Sequence, residues 1–204
     1  MKSFTKKLRS VLTTASAFAF IAVAVVITVP RAHMQAGSNT IAFDRYDEAV
    51  GYTKVFVMNA DGTNVTELAA GYSPSWSGDG TKIAYATGDS EQFDIWTMNA
   101  DGTSKTQITQ NYRSSAPAWS PQGARIAFTS EHEGSNHIYT INADGTNQVR
   151  LNMTFPGVTR EYAPSWSADG SKIIFLGQKV VNGLGRWDYY QADSNGSGVT
   201  TQVT

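Results

Sequence analysis

The sequence Asn-Ala-Asp-Gly-Thr occurs three times without a change, at Asn59–Thr63, Asn99–Thr103 and Asn142–Thr146. A second pattern, Pro-x-Trp-Ser, keeps step with it at residues 74–77, 117–120 and 164–167. The first pattern has a degenerate fourth copy at Asp193–Ser197, and successive copies lie 40 to 51 residues apart. Repetition at this period is typical of chains that are built from stacked supersecondary units.

One unit is predicted to contain four short antiparallel strands, a to d. Strand a carries the Pro-x-Trp-Ser and leads through a tight turn, such as Ser77–Gly80, into strand b, as at Lys82–Tyr85. After a variable loop comes strand c, as at Asp94–Asn99, and the Ala-Asp-Gly turn leads into strand d, as at Lys105–Thr109. The strands are rich in β-branched and aromatic residues and are bounded by Gly, Asp, Asn and Pro. Four such strands make one blade of a β-propeller, so the sequence predicts an all-β fold.

The repeat also resembles a known family. Its combination of Pro-x-Trp-Ser-x-Asp-Gly-x-Lys-Ile-Ala with Ile-Trp-x-Met-Asn-Ala-Asp-Gly-Thr is similar to the TolB-type propeller repeat, over about residues 40 to 204. Three consecutive copies make the resemblance specific. It implies a periplasmic or cell-surface β-propeller that binds other macromolecules, in a ring with more blades than this chain shows.

The repeats divide residues 37–204 into four units, at about 40–70, 71–110, 114–153 and 161–204. The first blade is predicted to be incomplete, because its strand a would fall at about Ala32–Gln35, with Met34 in the place of the Trp. Three alternatives account for so few blades: the sequence is truncated, the chain is a half-ring that self-associates to complete the ring, or the ring is unusually small. Exposed blade faces would otherwise be aggregation surfaces.

Residues 1–36 differ in composition from the repeats. They contain five basic residues and no acidic residue, and no charge lies between Val11 and Val29. A basic start followed by an apolar run predicts a signal peptide, processed near Ala36, or an uncleaved N-terminal membrane anchor. Both alternatives place residues 37–204 in the periplasm, at the cell surface or outside the cell.

The charge balance of the repeats excludes two classes of partner. The chain has 16 Lys and Arg, five of them in residues 1–36, so 11 remain against 17 Asp and Glu. A nucleic-acid partner requires a clustered basic face, and an anionic lipid surface attracts basic segments. The sequence contains no cysteine, so an exported domain of this kind must be stabilised by its core alone.

The repeated residues are predicted to be structural. Trp76, Trp119 and Trp166 hold a fixed place in strand a, where a large ring fills the wedge between adjacent blades. In the repeated turns, Asp accepts backbone hydrogen bonds and Gly takes a positive φ. This interpretation assigns scaffold roles to Asp61, Gly62, Asp101, Gly102, Asp144 and Gly145. The turns do not have the spacing of a calcium loop, so neither a metal nor a cofactor is predicted.

No catalytic residue is predicted. Serine hydrolysis requires an activated Ser with a His and an acid, and the sequence has no Gly-x-Ser-x-Gly. The repeats contain only two histidines, His132 and His137. The first of them lies in Glu131–Glu133, which is interpreted as a solvated b–c loop.

Binding is expected at the end of the blades opposite the repeated turns, where the b–c loops and the d–a connections vary. Tyr, Trp and Arg are the residue types that anchor interfaces, and the candidates on this face are Tyr72, Tyr112, Arg113, Arg160, Tyr162, Arg186 and Trp187. Further residues noted on this face are Tyr46, Asp47, Glu48, Phe155 and Glu161. The longest insertion, Leu176–Trp187, is a candidate to fold over the mouth of the ring.

These features predict an exported, non-catalytic β-propeller scaffold that binds a protein or a glycan on its variable-loop face. The alternative is the propeller portion of a larger envelope hydrolase, in which the blades gate or position the substrate. A hydrolase domain in the reading frame after Thr204 would distinguish the alternative from the first hypothesis.

Overall fold

Sixteen β-strands and no helix make up the part of the chain that the computed structural model describes, which is residues 33–34, 39–89, 92–110, 113–151, 157–196 and 201–203. In chain order the strands are β1 (His33–Met34), β2 (Thr40–Asp47), β3 (Tyr52–Asn59), β4 (Thr66–Ala70), β5 (Tyr72–Trp76), β6 (Lys82–Gly88), β7 (Phe93–Asn99), β8 (Thr106–Gln107), β9 (Ser114–Trp119), β10 (Arg125–Ser130), β11 (His137–Asn142), β12 (Val149–Arg150), β13 (Val158–Trp166), β14 (Lys172–Val181), β15 (Leu184–Asp193) and β16 (Thr201–Gln202). Over these residues the structure has no helix that is long and apolar enough to cross a membrane.

The strands form four sheets, each of four antiparallel strands that follow one another in the chain. We call them blade 1 (β1–β4), blade 2 (β5–β8), blade 3 (β9–β12) and blade 4 (β13–β16). Sheets of this size and order are the blades of a propeller. The predicted all-β fold of four-stranded blades is therefore confirmed.

Blade 1, which the sequence predicts to be incomplete, has all four strands, although its strand a is the shortest of the four blades. Its β1 has only two residues, and it pairs with β2 so that Met34 stands opposite Ile41. Trp76 stands opposite Ile83 in the same register in blade 2. Met34 therefore takes the register position of the tryptophan, as the spacing of the repeat predicts.

Each junction between consecutive blades contains an apolar cluster. At the junction of blades 2 and 3, Trp119 packs with Ala84 of blade 2 and with Phe128 of its own blade. Trp76 has the equivalent place between blades 1 and 2, and Trp166 has it between blades 3 and 4. The core thus lies between the sheets, as in other stacked-repeat architectures.

The a–b turns and the c–d turns lie at the same end of each blade. The N–H of Ala100 donates to the carbonyl oxygen of Thr81 at 2.9 Å, and the equivalent bond in blade 3 joins Ala143 to Ala124 at 3.0 Å. Because the strands are antiparallel, the b–c loops and the d–a connections lie at the other end. We call this the variable-loop end.

The long b–c insertion of blade 4 is regular sheet. Strands β14 and β15 have ten residues each and pair without a break from Lys172–Asp193 to Val181–Leu184. The turn between them is Asn182-Gly183, with φ of 53° and 77°, which is the conformation that a two-residue hairpin prefers. Leu176–Trp187 therefore extends the hairpin of blade 4 and does not form a separate loop.

Candidate functional site

A pocket of about 460 Å³ opens at the variable-loop end, between blades 1 and 2. Its walls come from the b–c hairpin of blade 1, from the connection between β4 and β5, and from the end of β6. The lining residues are Tyr46, Gly51, Tyr52, Thr53, Ala70, Gly71, Tyr72, Thr87 and Gly88. Tyr72 was a candidate from the sequence and Tyr46 was noted beside it, whereas Tyr52 and Thr53 were missed.

Three tyrosines give this pocket its aromatic character. Tyr46 is 60% exposed and Tyr52 is 48% exposed, and they lie where β2 ends and β3 begins. Tyr72 is half-buried, and its ring meets the ring of Phe93 edge-on with 6.3 Å between the centroids. Burial raises the pKa of Tyr72 to about 12. The phenol of Tyr72 is therefore neutral at physiological pH and keeps its hydrogen-bond donor.

Three charged groups beside the pocket are paired with one another. Lys54 Nζ lies 3.0 Å from Asp47 Oδ2 and 3.0 Å from Glu67 Oε2, and 5.8 Å from the centre of the Tyr52 ring. Hydrogen bonds to Glu67 and Asp47 raise the pKa of Lys54, and the bond from Lys54 lowers the pKa of Asp47. None of the nine lining residues carries a charge. The pocket is therefore suited to a neutral ligand that offers apolar faces and hydroxyl or amide groups.

The seven candidate binding residues do not come together in one site. Tyr72 lines the pocket, whereas the Arg113 side chain pairs with Glu131 of blade 3, with 3.2 Å between Nη1 and Oε2. Tyr112 lies outside the described residues, as does Phe155.

The other four candidates lie on blade 4. The rings of Tyr162 and Trp187 are in contact, with 5.4 Å between centroids, and Arg160 is exposed on the same face of the sheet. Arg186 stands opposite Lys179, and alternation along the strands places both on the other face.

A buried polar cluster joins blades 3 and 4 at the variable-loop end. Glu161 is only 4% exposed, and its Oε2 accepts a hydrogen bond from the N–H of Ile138 at 3.0 Å. His137 Nδ1 lies 3.5 Å from the same oxygen and 3.1 Å from Arg150 Nη2. Arg150 Nη1 lies 2.5 Å from Glu133 Oε2. Glu161, noted from the sequence on the variable-loop face, is thus buried at a blade junction.

Burial decides the ionisation of this cluster. It raises the pKa of Glu161 to about 7, against the opposing effects of the Ile138 hydrogen bond and the Arg150 charge. Burial also lowers the pKa of His137, and the charge of Arg150 acts in the same direction. Near pH 7 a neutral imidazole therefore faces a carboxyl group that is partly protonated, and the two do not form a full ion pair.

Glu161 should make the stability of the fold depend on pH. The carboxyl group of Glu161 loses its proton near pH 4.3 in the unfolded chain and near pH 7 in the folded chain. The stability that the neutral carboxyl group contributes is therefore complete below about pH 4 and is lost as the pH rises through 7. Glu161→Gln keeps an oxygen acceptor for the N–H of Ile138. The two pKa values differ by about 2.7 units, worth at most about 4 kcal/mol, so we expect the substitution to raise the free energy of unfolding by about 2–4 kcal/mol at pH 8 and to change it little at about pH 4.

Urea unfolding of Glu161→Gln at the two pH values measures this effect. Glu48→Gln, at an exposed position of the blade 1 hairpin, is the matched control, and its effect should be small at both pH values. An effect of Glu161→Gln that is the same at both pH values would contradict the assignment of the proton to Glu161.

The repeated aspartates form hydrogen bonds within their own turns. The backbone N–H and the hydroxyl of Thr63 both donate to Asp61 Oδ1, at 2.9 and 2.6 Å, and the same pair of bonds occurs at Asp101 and Asp144. These bonds lower the pKa of all three carboxyl groups. Over the residues that the structure describes, no group of three His, Asp or Glu side chains is placed to hold a metal ion.

The chain is an all-β propeller protein with a pocket at its variable-loop end. Its four consecutive four-stranded sheets, their apolar junctions and the repeated Asp-Gly turn define this class. The model of the TolB beta propeller domain matches residues 37–204. The chain therefore belongs to the TolB beta-propeller family, as its repeat predicted. No curated protein matches the chain at a significant level.

Solved structures show the same fold. A TolB protein from Agrobacterium tumefaciens aligns with a TM-score of 0.71 at 22% identity, over 81% of this chain and 61% of that chain. TolB from Acinetobacter baumannii aligns with a TM-score of 0.66 at 21% identity, over 81% of this chain and 41% of that chain. An acylaminoacyl peptidase aligns with a TM-score of 0.54 at 14% identity, over 83% of this chain and 31% of that chain. The chain thus spans less than two thirds of the length of these proteins.

Proposed function

We propose that the chain is an exported, non-catalytic β-propeller scaffold that binds a protein or a glycan at its variable-loop end. The observation that carries the proposal is the pocket between blades 1 and 2, where three tyrosines surround a space without a charged lining residue. Tyrosine rings stack on sugar rings and on apolar side chains, and their hydroxyls supply directional hydrogen bonds. The partner is met in the periplasm or at the cell surface, and the basic and apolar residues of the 1–36 segment that precede β1 serve as a signal peptide or a membrane tether.

Binding without catalysis is supported by the placement of the titratable groups. Glu161 has a pKa near neutrality, which a general acid or base requires, but it is buried at a blade junction and does not line the pocket. The nine residues that line the pocket carry no charge, and Lys54, 5.8 Å from the centre of the Tyr52 ring, is held in ion pairs with Asp47 and Glu67. The site is therefore suited to recognition, and the proposed scaffold requires no cofactor and no nucleic acid.

The alternative function is the propeller portion of a larger envelope hydrolase that gates or positions its substrate. The likeness to the acylaminoacyl peptidase structure favours this alternative, because that protein carries the same fold in a longer chain. A hydrolase domain encoded in the same reading frame after Thr204 would support it.

The pocket can be tested with defined probes. The labelled chain is applied to a glycan array and to a peptide array, together with the variants Tyr46→Ser and Tyr52→Ser. Both side chains are largely exposed, so the variants should fold, and we expect each to weaken binding about tenfold, the loss of about 1.4 kcal/mol of aromatic contact.

Tyr189→Ser, at an exposed position of blade 4, is the control for this experiment and should bind as the unaltered chain does. Equal binding by all four proteins would place the contact elsewhere on the molecule and contradict the role of the pocket.

A further inference from the structure

The pocket between blades 1 and 2 opens where the repeat changes at one position. Five residues before the tryptophan of strand a, blade 3 has Ser114 and blade 4 has Glu161, which are 0% and 4% exposed, whereas blade 2 has Gly71. Glu161 carries its carboxyl group into the junction with the preceding blade, where it accepts a hydrogen bond from the N–H of Ile138. Blade 2 has no side chain at this position, and Gly71 lines the pocket instead.

The backbone at Gly71 and at Glu161 is held in the same way. The N–H of Gly71 donates to the carbonyl oxygen of Thr53 at 2.8 Å, and the N–H of Glu161 donates to the carbonyl oxygen of Asn136 at 2.8 Å. Thr53 and Asn136 are equivalent, because each lies four residues before the strand c partner of the buried strand b alanine. The pocket therefore results from the lack of a side chain at a junction whose backbone contact is intact.

Three hydroxyl side chains face this space from both blades. Tyr46 stands directly opposite Thr53 in blade 1, and both lie on the sheet face that the buried Ala42 turns toward blade 2. Alternation along β6 places Thr87 on the face of Tyr85, which packs against blade 1. Over the residues that the structure describes, the protein supplies no hydrogen-bond partner to any of these three hydroxyls.

The hydroxyl groups restrict the chemistry of an occupant. Every lining residue with a polar side chain carries a hydroxyl, and the others are glycine or alanine. A hydroxyl both donates and accepts, and an apolar peptide side chain would remove its water without replacing the hydrogen bonds. A sugar ring supplies hydroxyls that also do both, and its C–H face packs on an aromatic ring such as that of Tyr46.

A charge of either sign is disfavoured beside the pocket. A cationic ligand would meet Lys54, whose Nζ lies 5.8 Å from the centre of the Tyr52 ring. An anionic ligand would meet the carboxylates of Asp47 and Glu67, which both lie 3.0 Å from the same Nζ and outnumber it. An uncharged sugar meets neither penalty.

We propose that the pocket holds an uncharged sugar ring of a glycan, which packs on Tyr46 and exchanges hydrogen bonds with the hydroxyls of Thr53 and Thr87. This inference rests on the proposed function, because it names the ligand class of the same pocket. A volume of about 460 Å³ lies in the lower half of the range of about 300–1,000 Å³ for small-molecule sites, so the pocket suits a short segment of a glycan.

The test compares neutral and acidic sugars directly. The full 204-residue chain is purified in a mild detergent and applied to immobilised neutral oligosaccharides of hexoses, N-acetylhexosamines, deoxyhexoses and pentoses. Oligogalacturonate serves as the acidic glycan, and the peptide array is probed in parallel. We expect binding to at least one neutral oligosaccharide and at least about tenfold weaker binding to oligogalacturonate and to peptides.

Thr87→Val isolates the contribution of one hydroxyl. Valine keeps the branched shape of threonine and removes its hydrogen bonds, so sugar binding should weaken about tenfold, whereas an apolar contact would be kept. Thr106→Val, at an exposed position of β8 away from the pocket, is the matched control and should bind as the unaltered chain does. Circular dichroism of both variants should show the unfolding transition of the unaltered chain.

The outcomes separate this inference from the proposed function. Binding to peptides alone, weakened by Tyr46→Ser but not by Thr87→Val, would overturn the sugar and leave the proposed function standing. Binding to a neutral oligosaccharide that neither variant changes would place the sugar outside the pocket and overturn the inference. Binding to none of the oligosaccharides or peptides would contradict both proposals.

Discussion

Replacing Trp119 with alanine is expected to lower the free energy of unfolding by about 3–5 kcal/mol. The side chain is only 7% exposed and packs with Ala84 and Ile95 of blade 2 and with Phe128 of blade 3. Its removal leaves a cavity between two sheets, each of which is held by its own ladder of hydrogen bonds and cannot collapse far into the space. The loss therefore weakens the junction of the blades more than either blade alone.

Guanidinium unfolding of the unaltered chain and of Trp119→Ala, followed by circular dichroism, measures this cost. Tyr52→Ala is the control, because it also removes a large aromatic side chain but from an exposed position, and its cost should stay below about 1 kcal/mol. If the two substitutions cost the same, the tryptophan does not connect the blades and the interpretation of the repeat is wrong.

The blade junctions were predictable from the sequence because the sequence repeats. Trp76, Trp119 and Trp166 each stand opposite an isoleucine of strand b, and an apolar residue at a fixed place in every unit has to meet the neighbouring unit. The Asn-Ala-Asp-Gly-Thr turn was predictable for a different reason. Apart from the bond that the N–H of its alanine donates to the neighbouring a–b segment, the backbone hydrogen bonds of the turn and the bonds to its aspartate close within its five residues, so local sequence largely specifies it.

The pocket was not predictable in this way, because its walls come from segments that do not repeat. Tyr46 and Tyr72 were each noted as residues of the variable-loop end, but only the register of β2 with β3 and the packing of blade 1 on blade 2 bring them together with Tyr52. The exposure of a single residue could not be predicted from the sequence for the same reason. Glu161 is buried because the junction of the two blades holds its carboxyl group against Ile138 and His137 of blade 3, while its own N–H donates to the carbonyl oxygen of Asn136 at 2.8 Å.

Gly71→Ala is expected to lower the free energy of unfolding by about 3 kcal/mol, for two separate reasons. Gly71 has a φ of 143°, a conformation that residues with a side chain rarely adopt. An added Cβ would also lie 2.6 Å from the carbonyl oxygen of Ala86 and 2.8 Å from Cδ2 of Tyr85. The N–H of Gly71 donates to the carbonyl oxygen of Thr53 at 2.8 Å, which holds the connection between β4 and β5 against blade 1. Relief of the clash therefore requires a shift of β6.

The control Gly62→Ala separates these two reasons. Gly62 has a φ of 83°, but nothing lies within 4 Å of an added Cβ, so its substitution should cost only the backbone strain, about 1 kcal/mol. The difference between the two variants in denaturant unfolding, about 2 kcal/mol, then measures how firmly the connection is packed between blades 1 and 2. Gly71 lines the pocket, so equal costs would mean that this wall yields easily. The pocket would then be a mobile surface, and the preformed site on which the proposed function depends would lose its support.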